Sequence, residues 1–468
     1  MKKLIICLFV FSALSCGDLT DFTTVVNPNL SQESVLGQPN SSVIWLTGME
    51  RQLSIVINEV VINAEIASDN YNNDQTFYNQ FLDNLDINKV DDDVADIQFA
   101  IQRLRAMSVF GIDEVGPNDP NYNAETEAEY KFMRGLASMY SGMYFVALSD
   151  VPGSAPKTAD ENLAEAVINF TDAIAVNPKP EYYLGQARAH YLRGHKDSAM
   201  ASAQAALDAS GDFIRVATYD ESENPDNVME DALYERGTFD DLQPLPTLDF
   251  LDPKYSFLSP TQDDPVNYLK AEEAHLILIE GLISNGDVDG AKAKMEELAV
   301  LVASRPARSI DDSIEGRTHF APGTRPDSAC VVVNGREGLV LSRDIGDVTI
   351  PNVSGTSLTQ ADIDGIAGET DALYLLYRTR QEIFIAEGMR MVDMGVKLVL
   401  SEEEELLNDN VSDGGLGTVP QIPPFIDSVK DQLDLIQYTP GECTASTVID
   451  VSQILVDNRM SPMVLPFH

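Results

Sequence analysis

Ala166-Val167-Ile168-Asn169-Phe170-Thr171-Asp172-Ala173 and, 33 residues further on, Ala199-Met200-Ala201-Ser202-Ala203-Gln204-Ala205-Ala206 carry one pattern of small and apolar residues. Phe170, Ala173 and Pro178 lie 4, 7 and 12 residues after Ala166, and Ala203, Ala206 and Gly211 repeat those offsets from Ala199. Steps of three and four residues put side chains on one face of a helix, and self-similarity at this period marks stacked helix pairs. Between the copies, Tyr183, Ala187 and Gly194 stand where the first helix of a pair needs an aromatic, a small residue and a turn glycine. Small residues let antiparallel helices approach, and the aromatic fills the groove between them.

This is the spacing of a tetratricopeptide unit, and a looser third copy runs over 267–302 with Gly286 at its turn and Ala291 after it. Two good copies and one poor one are too few for a solenoid, so they predict a spine over about 125–302 with other material packed on it. Helical patterns also cover 41–67, 91–109, 125–148 and 371–400. The stretches 213–265 and 305–369 are rich in Pro, Gly and Asp, with short apolar runs such as Cys330-Val331-Val332-Val333. They read as long loops. The expected fold is mainly α: tetratricopeptide-like helix pairs form a spine, and a long irregular loop-rich face carries a few short strands.

The 468 residues hold 75 Asp plus Glu against 31 Lys plus Arg, a formal charge of −44. Nucleic-acid binding needs Lys and Arg to displace phosphate counterions, so no nucleic-acid partner is expected. With 44% apolar and 23% charged residues, the acidity is a solvated surface over a large core. At the amino terminus Lys2 and Lys3 precede an apolar run over 4–14, too short to span a bilayer, and Ser15 leads into Cys16. This is the pattern of a secretory leader. A cysteine directly after a small residue at its end is similar to a bacterial lipobox, with Ala13 where Leu is usual.

The organisation that follows is a signal peptide over 1–15, a lipidated Cys16 that anchors the protein to a membrane, a polar tether over 16–40 and a single domain over 41–468. Losing the leader leaves 29 basic residues against 75 acidic ones, a charge of −46. Cys7 goes with the leader. Cys330 and Cys443 remain, either to pair as a disulfide or to stay free thiols.

The chain has no Gly-x-Ser-x-Gly elbow and no phosphate-cradling glycine loop. His190, His195 and His275 fall at repeat, turn and helix positions that read as structural. Asn285-Gly286-Asp287-Val288-Asp289-Gly290, with Glu296 twelfth, has the spacing of a calcium loop, but a helix–helix turn with Asp289 as N-cap accounts for the same residues. No metal is expected there. A cluster of aromatic and amide residues is different in kind: Asn70, Tyr71, Asn72, Asp74, Phe77 and Tyr78, with Tyr255 and Phe257 in a second loop. Rings stack on sugar faces while amides and carboxylates bond hydroxyls, so these eight are the candidate ligand-binding residues.

Several segments, in order, resemble the SusD/RagB family of outer-membrane nutrient-binding lipoproteins. They are Tyr130-Lys131-Phe132-Met133-Arg134-Gly135-Leu136 running on to Ser149-Asp150-Val151-Pro152; Tyr268-Leu269-Lys270-Ala271-Glu272-Glu273-Ala274-His275-Leu276 with Glu280-Gly281; Arg380 with Glu387-Gly388-Met389-Arg390 and Asp393; and the closing Leu465-Pro466. The resemblance implies four tetratricopeptide-like helix pairs on one side and an irregular face that meets substrate and a SusC-like TonB-dependent transporter barrel. It further implies a lipid-anchored protein on the cell surface, in the outer membrane, that holds an oligosaccharide, polysaccharide or peptide over the barrel, with no catalysis and no cofactor. Arg380, Glu387, Gly388, Arg390 and Asp393 would then stabilise the fold through a buried charge network. The sequence departs from the family at Thr379 and Met391, and its only Trp, Trp45, lies in a predicted helix, which excludes Trp-rich sugar platforms. The competing reading is an envelope scaffold that binds a protein partner through its helix pairs.

Overall fold

The computed structural model describes residues 36–73, 79–220, 222, 225–234, 242–251, 263–311, 325–326, 328–342, 347–464 and 467. The signal peptide, Cys16, Asp74, Phe77, Tyr78, Tyr255, Phe257 and the Leu465-Pro466 ending lie outside them.

Helix α1, Ser41–Ile66, starts without a side-chain cap of its own. The first N–H groups of a helix have no internal partner, and Asp119 supplies one from a distance: it accepts the Asn40 and Ser42 N–H groups at 3.0 and 2.9 Å and the Ser42 hydroxyl at 2.6 Å. Helix α2, Asp92–Phe110, widens at its end into a π turn, Gly111–Val115. Next come α3 Ala124–Tyr144, α4 Ala159–Val176, α5 Pro180–Leu192 and α6 Lys196–Ala209, then α7 Ala271–Ser284, α8 Val288–Ser304 and α9 Glu369–Ile383. Consecutive helices pack in pairs: α1 on α2, α3 on α4, α5 on α6, and α7 on α8. Gly194 and Gly286 close two of the turns with φ of 70° and 76°, a region where only glycine is free of strain.

The repeat residues meet where the pattern put them, since Ala166, Phe170, Ala173, Ala199, Ala203 and Ala206 are all fully buried. Phe170 is the wedge. A Cβ on Gly135 of α3 would fall 2.7 Å from its ring, and one on Gly185 of α5 would fall 2.8 Å away, so three helices close on one phenyl group from both sides. Phe132 stands 5.8 Å from the Phe170 ring and 4.6 Å from the Tyr182 ring. The groove aromatic is therefore Tyr182 and not Tyr183, which sits half-buried one step of about 100° around α5.

Three expected boundaries move. The helix expected over 371–400 ends at Ile383, because Ala386 and Gly388 take left-handed φ values of 57° and 74° and Gly395 one of 75°. Within 384–400 only the single turn Arg390–Asp393 is helical. The helix expected to reach residue 148 stops at Tyr144, and Ala147–Leu148 pairs instead with Lys157–Thr158. The cap of α8 is Asp287, which accepts the Gly290 N–H at 2.9 Å, and not Asp289.

The irregular face carries short strands. Tyr71–Asn73 pairs antiparallel with Leu242–Pro244, Ile214–Ala217 with Val266–Lys270, and Ala307–Asp311 with Asp347–Pro351. Ile436–Tyr438, Thr444–Thr447 and Val332–Val333 form a three-stranded sheet. Beside it Cys330 and Cys443 are joined in a disulfide that closes 113 residues of chain. Among the described residues no helix is long and apolar enough to cross a membrane.

The wedge makes a stability prediction. Gly135→Ala puts a methyl against a ring that Gly185 blocks from retreating, and overpacking of this kind costs about 1–3 kcal/mol. Urea unfolding of the variant should show a lower midpoint with an unchanged slope; an unchanged midpoint contradicts the packing described.

Candidate functional site

The aromatic and amide segment begins at the end of α1, and buried charge fixes its base. Glu65, fully buried, accepts the Asn70 side-chain amide at 2.7 Å and the Glu387 and Gly388 N–H groups at 3.2 and 2.8 Å. Asp69 accepts two bonds from Arg390, at 2.5 and 2.9 Å, and one from Gln381 at 3.1 Å. Gln381 also donates to the Asn70 side-chain amide oxygen at 3.0 Å. The left-handed turn at 386–388 follows from this: α9 has to stop there for two successive N–H groups to point at Glu65. Gly388 also lies against the α1 backbone, where a Cβ would be 3.3 Å from the Val61 Cα.

A second set of buried pairs radiates from the segment 268–276. Lys270 bonds Glu387 at 2.7 Å, Arg305 takes both oxygens of Glu272 at 2.7 Å, and Arg188 both oxygens of Glu273 at 2.6 Å. Three nearly consecutive charges thus bind three separate elements, the 384–395 turn, the end of α8, and α5. Next to them Arg380 pairs with Asp393 at 2.8 and 3.1 Å, and the Tyr191 hydroxyl donates to Glu280 at 2.6 Å. Burial pushes the Glu280 carboxyl up to about 7, against the lowering effect of Tyr191 and Arg380.

This geometry divides the expected ligand residues. Asn70 and Tyr71 are buried, so they belong to the base and are not available to a ligand. Asn70 spends its amide on Glu65 and Gln381, and Tyr71 joins the main core. Asn72 and Asn73 are half-buried on the strand that pairs with Leu242–Pro244. The Asn72 amide bonds the Asp434 carboxylate, whose own pKa is raised by burial. Trp45 is half-buried on α1, its indole N–H donated to the Met107 carbonyl at 2.9 Å, which removes it from any binding face.

A concave site the sequence reading missed lies beside α2. It has a volume of about 330 Å³ and is lined by Gln102, Ala106, Val109 and Phe110 against Val151 and Pro152. Asp113 and Glu114 of the π turn stand exposed in the same wall. Its volume falls in the range of small-ligand sites. No periodicity in the sequence signals it, because its wall is shaped by the π turn Gly111–Val115. No group of three His, Cys, Asp or Glu side chains among the described residues is arranged to hold a metal. The segment with calcium-loop spacing is the helix–helix turn the sequence suggests, with Asp287 capping α8 and Asn285 accepting from Lys196 at 2.6 Å. Burial holds His275 down at about 4, so it is neutral at physiological pH.

No protein-family model matches the chain, and no curated protein matches it. Solved structures do. A SusD superfamily protein from Bacteroides fragilis is similar over 80% of this chain and 99% of its own, with a TM-score of 0.52 at 14% identity. A SusD-like protein from Bacteroides fragilis is similar over 78% of this chain and 87% of its own, with a TM-score of 0.51 at 11% identity. A SusD-like carbohydrate binding protein from Bacteroides vulgatus is similar over 76% of this chain and 82% of its own, with a TM-score of 0.51 at 9% identity.

The chain has the SusD fold. Within that fold the charges quoted above are core residues: Arg380, Glu387, Arg390 and Asp393 are all buried and ion-paired. Of these side chains Arg390 reaches the irregular face directly, through Asp69 two residues before the strand Tyr71–Asn73.

Glu280 gives this SusD-fold core a pH signature. Its folded-state pKa is raised from 4.5 to about 7, so the native protein keeps a proton that the unfolded chain gives up. Its contribution is complete below about pH 4.5 and is lost as pH rises through 7, at most on the order of 3 kcal/mol. Glu280→Gln removes the titration. The melting temperature of the variant minus that of the wild type should therefore rise between pH 5 and pH 8; a difference independent of pH contradicts a protonated Glu280.

Proposed function

We propose that this protein is a cell-surface lipoprotein, anchored in the outer membrane through Cys16, that binds an oligosaccharide or polysaccharide and delivers it to a SusC-like TonB-dependent transporter barrel. It is not an enzyme and uses no cofactor. The observation that carries the reading is the fold shared with the SusD-like carbohydrate binding protein from Bacteroides vulgatus. The leader ending in Ser15-Cys16 supports the anchor, and the segment rich in rings and amides supports the ligand class. The ligand contacts of this proposal are Asn72, Asp74, Phe77 and Tyr78, with Tyr255 and Phe257 from the second loop. A flat ring against the apolar face of a pyranose, framed by amide and carboxylate groups that bond its hydroxyls, would select neutral sugars.

Affinity electrophoresis of the mature protein through gels containing plant, algal or bacterial polysaccharides tests this. At least one neutral glycan should retard the wild type, and Phe77→Ala/Tyr78→Ala should weaken that binding about tenfold or more, since each ring contributes of order 1 kcal/mol. Retardation by none of them, or unchanged retardation of the double variant, counts against the assignment. Copurification with a barrel from detergent-solubilised outer membranes tests delivery separately.

A further inference from the structure

The concave site beside α2 stands apart from the segment proposed to meet sugars. Its Phe110 ring lies 5.2 Å from the ring of Trp45, near the start of α1, whereas the sugar segment leaves the far end of that helix. The length of α1 from Trp45 to Ile66, at 1.5 Å per residue, puts roughly 30 Å between the two. Ala106, Val109 and Phe110 form one wall of the cavity, and Val151 and Pro152 face them. Both walls are fixed. The first is helical, and the loop of the second is pinned by Ser149, which donates to Glu404 at 3.0 Å, and by the ion pair of Asp150 with Lys157. Val151 nevertheless stays 58% exposed, so apolar surface stands in water on a wall that is already rigid. Charge is divided across the cavity. Arg105, the only base among the lining residues, is buried and bonded to neutral groups alone, the Ser149 carbonyl at 3.2 Å, the Ser141 hydroxyl at 3.2 Å and the Asn162 amide oxygen at 2.9 Å. Asp113 and Glu114 stand exposed in the wall, and among the described residues neither is ion-paired.

We propose that this cavity is a second binding site, for small molecules that join an aromatic or branched aliphatic body to an ammonium group. The body lies between the α2 wall and Val151 and Pro152, where it takes apolar surface out of water. The ammonium lies at Asp113 and Glu114. The buried Arg105 guanidinium keeps a cation from going deeper, and the two carboxylates repel an anionic ligand of the same shape. The π turn Gly111–Val115 sets both acids one turn beyond Phe110, and turns of this kind recur at functional sites. The volume of about 330 Å³ is more than twice the roughly 150 Å³ of a cavity that binds benzene, so a ring and a short ammonium arm both fit. Nothing in this site depends on the glycan reading.

Isothermal titration calorimetry of the mature protein with phenethylammonium, 2-phenylethanol and 3-phenylpropionate tests this, since the three share a ring and differ in charge. Phenethylammonium should bind with a Kd of about 1 mM or tighter, about fivefold tighter than the alcohol, with the carboxylate weakest of the three. Asp113→Asn/Glu114→Gln, both at exposed positions, should bring phenethylammonium to within about twofold of the alcohol and leave the alcohol unchanged. Ala106→Phe, also at an exposed position, should fill the cavity and abolish binding at an unchanged melting temperature. No binding of phenethylammonium up to about 10 mM, an affinity no greater than that for the alcohol, or full affinity in Ala106→Phe overturns the proposal.

Discussion

The bidentate pair between Asp69 and Arg390 is the constraint on which the irregular face depends. Its partners are 321 residues apart in the chain and both are buried. A buried pair of this kind adds little net stability over an apolar contact, but removing one member strands the other and costs about 3–5 kcal/mol. Asp69 therefore cannot drift from Arg390. Glu65, one helical turn earlier, captures the N–H groups of Glu387 and Gly388 in the same region. Two carboxylates at the end of the first helix thus dictate where the last long helix stops and where the strand Tyr71–Asn73 begins. The proposed ligand segment leaves from a base that is already fixed, which lowers the ordering cost of binding.

The same logic runs through the core of a very acidic chain. Charge is expensive away from water unless it is paired, and the buried cations Arg188, Lys270, Arg380 and Arg390 each have a carboxylate partner at 2.5–2.8 Å. Among the described residues twelve Asp and Glu are buried against six Lys and Arg, so most of the excess of 75 acids over 31 bases lies outside that buried set. Arg105 and Glu280 depart from the pattern: buried Arg105 bonds the Ser149 carbonyl, the Ser141 hydroxyl and the Asn162 amide oxygen, and Glu280 takes a hydroxyl from Tyr191. Burial raises the Glu280 carboxyl to about 7, against the lowering effect of Tyr191 and Arg380.

The helical spine was legible in the sequence because its signal is local. Ala166, Phe170 and Ala173 repeat at helical spacing, and burial follows from that spacing alone. One residue of phase was lost between Tyr183 and Tyr182, since only the neighbouring Phe132 ring decides which tyrosine enters the groove. The break of the last helix was not legible: apolar residues continue at helical spacing past Ile383, and the partner that ends the helix, Glu65, is more than 300 residues away. For the same reason Asn70 and Tyr71 read as binding residues. Their composition is that of a sugar site, and only the packing of Gln381 and Glu65 around them turns them into a foundation. The groove beside α2 needed the π turn, which no periodicity announces.

Hydrogen exchange in Arg390→Met tests most directly whether this buried pair sets the base of the irregular face. The account predicts that amides over 68–73 and 384–395 lose protection by about a hundredfold or more, in step with a loss of about 3 kcal/mol, while amides over 166–206 in the helical repeats keep wild-type protection. Wild-type protection over 68–73 in the variant, or an equal loss across the whole chain, would contradict it.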